Sequence, residues 1–419
     1  MEHLTINHIP TTIIKTDKFK TISFILVFIG DFNRDTATSR LLLNRVMASS
    51  TRHLETKKKL NDTLYALYDA YFTNTCIAMY KTLLTIYEIE VVDPKYVAHP
   101  TMIQDALALL QEVLTEPNVE ENAFKQKEFE EEKRTLNDQI LNIYNNKSLY
   151  SNIRLFELMA KDEIMKVSPS GSQIDLENIT KESLFGDYKQ MMQEEVRLYV
   201  IGNVNHSDLE GPLSHFQFSQ SSKEHEFSGH YVIANRPFQK VVEEQQINQS
   251  RLLFGYETGV YHNSPDHDAM VVFNAMIGGM ATSSLFMTIR EQLSLAYQIG
   301  STFSFEFGIF TISCGIDAAK EEIVIREVEA IIRSYQEGTI DPSLLYMAKE
   351  MIVSQLRESV DQPLDLFEQA LRMDLINYPT TTEYIKQIEA ITMEDVQVVS
   401  RKINLSAIFF LKGVNHDKN

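Results

Sequence analysis

Residues 179–204 read ITKESLFGDYKQMMQEEVRLYVIGNV, and residues 391–414 read ITMEDVQVVSRKINLSAIFFLKGV. In each, a threonine (Thr180, Thr392) stands where a helix N-cap is wanted, an acid follows in the first turn, and an apolar run ends at a glycine, Gly202 or Gly413. The threonine hydroxyl satisfies a backbone N–H that the first helical turn leaves without a partner, and the acid suits the positive end of the helix dipole. The apolar run reads as a strand. One helix-to-strand unit therefore closes two halves of the chain.

Working upstream, residues 67–92 (LYDAYFTNTCIAMYKTLLTIYEIEVV) parallel residues 293–317 (LSLAYQIGSTFSFEFGIFTISCGID), with Tyr71 falling opposite Tyr297. Both stretches are rich in Thr, Tyr, Phe and Ile and read as paired antiparallel strands. A helix follows each: Ile103, Ala106, Leu107, Leu110, Val113 and Leu114 recur at helical spacing, as do Val324, Val328, Ile331, Ile332 and Tyr335. Long charged segments come next, from Asn122 and from Ser343. The shared order predicts an α+β fold of two homologous domains, each a mostly antiparallel sheet covered by helices on one face. The Ser-, Gly- and His-containing stretch 211–230 reads as a linker between an N-terminal domain, 1–210, and a C-terminal domain, 231–419.

The chain has 419 residues, 39 of them basic and 58 acidic, for a formal charge of -19. That surplus disfavours nucleic acid and anionic membranes as partners and favours cationic peptides or proteins. The run ISFILVFI (22–29) is far short of the roughly 20 residues that cross a bilayer, and Glu2 and Asp17 before it argue against a signal peptide. It reads as a buried strand. Cys76 and Cys314 form no CxxC pattern, so neither a disulfide framework nor a cysteine metal site is expected, and the cytoplasm is the expected compartment.

The stretch 275–297, AMIGGMATSSLFMTIREQLSLAY, carries the chemistry. Its glycines, Gly278 and Gly279, allow tight turns and close approach of another chain, and the helix beyond them delivers Arg290 and then Tyr297. Guanidinium and phenol both donate hydrogen bonds to a peptide carbonyl, and to the oxyanion formed when water attacks it. Taken alone, an Arg and a Tyr seven apart serve surface ion pairing and core packing equally well. In its context the segment resembles the C-terminal-half signature of the pitrilysin-like (insulinase-type) zinc peptidases, and the twofold α+β repeat extends that resemblance over essentially the whole chain. The resemblance implies that Arg290, Tyr297, Gly278 and Gly279 bind peptide substrate.

Active members of that family carry HxxEH on the first long helix, two His for zinc and a Glu as general base, with a third ligand far downstream. HxxEH occurs nowhere here. Placing VMASST on the family's MLFxGT sets Leu41, Asn44 and Arg45 at the His, Glu and His positions, with Asp138 the nearest residue to the third ligand. No cofactor is expected in this chain. The resemblance implies a non-catalytic subunit whose partner is a homologous HxxEH-containing chain holding the zinc, the two acting on a peptide or protein substrate. It further points to an inactive-type branch of Gram-positive bacteria, on TIIKTDKFKTISFILVF (12–28) and NNKSLYSNIRLFELM (145–159), a branch associated with aminopentanol modification of elongation factor P. The rival reading is a peptide-binding or scaffolding protein without hydrolysis in its complex; an autonomous enzyme with another metal site ranks last. Other ligand-like residues have plainer readings: His53 and Glu55 as a solvated face, His262, Asp266, His267 and Asp268 as a turn with helix caps, His225 and His230 as linker.

Overall fold

A computed structural model of the protein describes residues 1–216, 218, 223–229 and 237–414. The strands are β1 (Glu2–Ile6), β2 (Ile9–Lys15), β3 (Thr21–Asp31), β4 (Tyr71–Met79), β5 (Thr82–Val92), a short ribbon of β6 (Val119–Glu120) and β7 (Ala123–Phe124), β8 (Glu195–Gly202), β9 (Gln239–Gln245), β10 (Ser250–Glu257), β11 (Ala296–Ser304), β12 (Ile309–Ile316) and β13 (Asn404–Gly413).

The main sheets run β1-β2-β8-β3-β5-β4 and β11-β12-β10-β13-β9. They have one topology. In the first, β8 lies antiparallel to β3 and parallel to β2; in the second, β13 lies antiparallel to β10 and parallel to β9. β4 and β5 correspond to β11 and β12, and β1 is an addition to the first sheet. The closing helices begin as their sequences require: Thr180 and Thr392 each accept from a backbone N–H three residues on, and Ser183 and Asp395 bond back to the cap N–H. Among the described residues no helix is long and apolar enough to cross a membrane.

The chain divides into two compact units that are not contiguous halves. One comprises Met1–Asn142, Val167–Phe227 and Val360–Arg372; the other comprises Ile143–Lys166, Ser228–Ser359 and Met373–Asn419. Within the expected linker, the helix His206–Leu213 runs past residue 211, while residues 217, 219–222 and 230 lie outside the described residues.

In the first unit Phe24, Leu26 and Phe28 of β3 join Tyr87 and Ile89 of β5 in a core with the helices Arg34–Met47 and Met102–Thr115. β3 is buried on its other face as well, at Ile25, Val27 and Ile29. A strand covered on both faces needs no polar alternation, which is why β3 is continuously apolar from Phe24 to Ile29. The second face carries part of the helix Pro363–Ile376, whose buried Phe367 sits edge-on to Tyr199 of β8 at 5.2 Å. In the second unit the helix Lys147–Met159 takes the same place. A side chain at Gly255 of β10 would lie 2.1 Å from the Met159 sulfur, and Arg154 Nε pairs with Glu243 of β9 at 2.8 Å. The expected single helical layer is thus joined, in each unit, by one helix on the opposite face.

Candidate functional site

The helix Arg34–Met47 starts at Asn33, whose side chain accepts from the backbone N–H groups of Asp35 and Thr36. With its start fixed, its last two turns send Leu41, Asn44 and Arg45 in different directions. Leu41 is half-buried, crowding Gly171 together with Ile140. Asn44 is buried: it accepts from the Tyr87 hydroxyl at 2.8 Å, and its amide nitrogen lies 3.2 Å from Cys76 Sγ. Burial pushes the Cys76 thiol up to about 11, so it stays protonated at neutral pH and is no thiolate ligand.

Arg45 Nε donates to Glu132 Oε2 at 3.2 Å, and its Nη1 donates to Gln139 Oε1 at 3.0 Å. Lys57 Nζ reaches the other Glu132 oxygen. The nearly buried Glu132 carboxylate is therefore held by two cations. Asp138, the sequence candidate on this helix, is exposed and is not the residue that meets Arg45. Glu132 and Gln139 are, seven positions apart on one face. The stripe of buried Phe129, Glu132 and Leu136 on the helix Gln126–Asn145 was the available signal, since Gln139 continues it at helical spacing.

A zinc site needs about three converging His, Cys or carboxylate ligands. Here a guanidinium enters the space, Asn44 is committed to Tyr87, and Leu41 has no donor atom. Among the described residues no three His, Cys, Asp or Glu side chains gather as a metal site requires. The residues present do not fit a zinc ion. One turn earlier, buried Arg40 donates to both Glu194 oxygens, at 2.9 and 2.5 Å, and to Thr85 at 2.8 Å. These contacts tie the helix to the sheet.

In the second unit the segment 275–297 takes wide, π-helical turns at Ala275–Gly279 and Phe286–Gln292. A Cβ on Gly278 would lie 2.5 Å from Ser301 Oγ and 2.8 Å from Ser301 N on β11, and Ser301 donates to Asn274 Oδ1 at 2.8 Å. Gly279 packs against the Asn274 carbonyl. Neither glycine has a positive φ. Their small size admits the chain's own strand, so the close approach foreseen for another chain is intramolecular.

Tyr297 is the extra residue of a bulge, because pairing slips between Ala296 opposite Ile316 and Gln298 opposite Gly315. Bulges re-aim side chains. This one leaves Tyr297 59% exposed on an edge strand, its hydroxyl donating to Asp317 Oδ1 at 3.0 Å. That hydrogen bond holds the phenol above its ordinary range, so it remains a donor at neutral pH. Arg290 is exposed, its guanidinium 4.6 Å from the Phe286 ring centroid and its Nε 3.5 Å from Glu291. No hydrogen bond joins Arg290 to Tyr297.

The remaining ligand-like residues are dispersed. Glu55 pairs with Lys59, and His53 is exposed. Asp266 precedes the helix His267–Asn274 and pairs with Lys402, while His267 packs on Phe305 at 4.0 Å and its Nδ1 lies 2.9 Å from Asp268. His262 lies 3.5 Å from Glu306. His225 is buried 3.8 Å from Glu195, and His230 lies outside the described residues.

Residues 178–352, which include the Gly, Arg and Tyr positions, match the family model described as Peptidase M16 inactive domain. The chain is also 27% identical over 404 residues, 96% of its own length and 95% of the relative's, to the Bacillus subtilis (strain 168) protein named probable inactive metalloprotease YmfF. Both likenesses are to inactive-type members of the M16 metallopeptidases. The chain's fold is shared with the crystal structure of a conserved protein from Enterococcus faecalis V583, at TM-score 0.93 and 26% identity, covering 99% of this chain and 98% of that one. The peptidase M16 inactive domain from Pseudomonas fluorescens has the same fold at TM-score 0.79 and 16% identity, covering 100% and 99%. Leu41, Asn44 and the ion network around Arg45 occupy the helix where the sequence comparison expected the active peptidases' motif.

Proposed function

We propose that this homologue is the non-zinc subunit of a two-chain peptidase, presenting Arg290 and Tyr297 to a peptide that is hydrolysed at a metal held by an HxxEH-containing partner. One observation carries the reading. The helix expected to supply metal donors is filled by Leu41, Asn44 and the Arg45, Glu132 and Lys57 network, while the second unit keeps two exposed hydrogen-bond donors beside an edge strand. Such donors stabilise the negative charge that develops on a peptide carbonyl. The metal and its general base must then come from another chain. A link to elongation factor P modification belongs to this proposal and rests on the resemblance to the inactive-type branch alone.

A second reading, a peptide-binding or scaffolding protein without hydrolysis, is favoured by the fact that Tyr297 already donates to Asp317 and Arg290 already lies against Phe286 and Glu291. Mixing the purified chain with a like-sized HxxEH subunit separates the two. The first reading expects a stable pair that cleaves peptides, with neither chain active alone. A pair that forms without cleaving any of a broad peptide library supports the scaffold.

A further inference from the structure

The second face of the first unit's sheet is not fully closed. A cavity of about 410 Å³ lies between β4 and β5 and the first turns of the helix Pro363–Ile376. Leu364 and Phe367 line its roof, and Phe367 is anchored on Tyr199. The floor alternates along two paired strands, with Tyr71 opposite Glu90 and Thr73 opposite Glu88. Glu88 and Glu90 are two apart on one strand, so both point to this face, roughly 7 Å from each other. Among the described residues no Lys, Arg or His lines the cavity. Burial first, and then the charge of Glu90, raises the Glu88 carboxyl above its ordinary range.

A separate group on β3 points the same way. Ser23 lies opposite Glu90, is 1% exposed, and its hydroxyl makes no hydrogen bond of normal geometry, lying only close enough to Glu88 to favour the carboxylate. An unpartnered buried hydroxyl beside two carboxylates without counterions is a floor built for a cation, since buried polar groups are ordinarily satisfied. The apolar roof asks for an aliphatic stem on that cation. A bare divalent ion is a poorer match, because calcium takes six to eight oxygens and the third carboxylate of the lining, Glu368, is paired with Arg372 at 3.2 Å. The chain's charge of -19 draws cations toward it.

We propose that this cavity receives the lysine or arginine side chain of a basic peptide, its charged head held by Glu88 and Glu90 and its methylene stem lying against Leu364 and Ile86. The proposal concerns the first unit alone and does not depend on Arg290 or Tyr297. A free diamine presents the same chemistry, so the test includes one.

Calorimetric titration of the full chain, with no partner present, compares three probes: a capped Ala/Ser peptide bearing one lysine, its norleucine counterpart, and 1,5-diaminopentane. The lysine peptide is expected to bind at least about tenfold more tightly than either, and Glu88→Gln with Glu90→Gln to weaken it by about tenfold or more, as loss of a charge-assisted hydrogen bond does. Leu364→Trp, at an exposed roof position, fills the space and is expected to block the same peptide without touching the acids. Equal binding of the norleucine peptide, unchanged affinity in the glutamine variant, or no binding by the natural chain overturns the proposal. Diamine binding as tight as the peptide's assigns the cavity to a free cation and overturns the peptide.

Discussion

Peptide hydrolysis by a reconstituted pair is expected to fall about 10²- to 10³-fold when Arg290 is replaced by Ala or Tyr297 by Phe, the range typical for losing one transition-state donor. Both residues are exposed, so neither change opens the core. Tyr297→Phe removes only the hydroxyl that now donates to Asp317, and Arg290→Ala leaves Phe286 in place. Pair formation and the unfolding midpoint are therefore expected to hold while kcat falls, with KM changing less. Steady-state kinetics on the pair check this. Unchanged turnover with both replacements together would contradict the role proposed for Arg290 and Tyr297.

The largest expected effect on stability lies on the helix Arg34–Met47. Arg40→Ala is expected to destabilise the protein by about 3–5 kcal/mol, because it leaves the nearly buried Glu194 carboxylate without its partner. A Cβ on Gly30 would lie 2.2 Å from Glu194 Oε1, so the carboxylate has little room to turn away. Denaturant or thermal unfolding measures the loss. Arg40→Met combined with Glu194→Leu removes both charges and is expected to recover much of it. A double variant no more stable than Arg40→Ala would show that packing, not the uncompensated charge, is what the pair supplies.

The repeat was legible because its signals are local. Thr180 and Thr392 cap helices through bonds spanning three residues, and the strands ending at Gly202 and Gly413 hold equivalent places in the two sheets. The exchange of helices was not legible. Lys147–Met159 and Pro363–Ile376 are amphipathic in the ordinary way, and nothing in such a pattern says which sheet the apolar face will cover. The unbroken apolar run of β3 from Phe24 to Ile29 did record that something covers its second face.

At the candidate site the poor fit to a metal was readable from residue type, since leucine and arginine donate no lone pair to one. What Arg45 meets instead was not. Gln139 meets Arg45 instead of Asp138 because helix rotation, fixed by the buried stripe through Phe129 and Leu136, decides which side chain faces inward. The bulge at Tyr297 and the wide turns before it depend on how Gly278 seats against Ser301, a long-range contact that local propensity does not encode.

The central proposal is that this chain holds no zinc, the expected donor positions being filled by Leu41, Asn44 and the Arg45, Glu132 and Gln139 contacts. Elemental analysis of the purified chain, after dialysis against buffer supplemented with zinc and then against metal-free buffer, tests it most directly. The account predicts well under about one-tenth of a zinc per chain, since a site of this kind needs at least about three protein ligands. About one zinc retained per chain would contradict it.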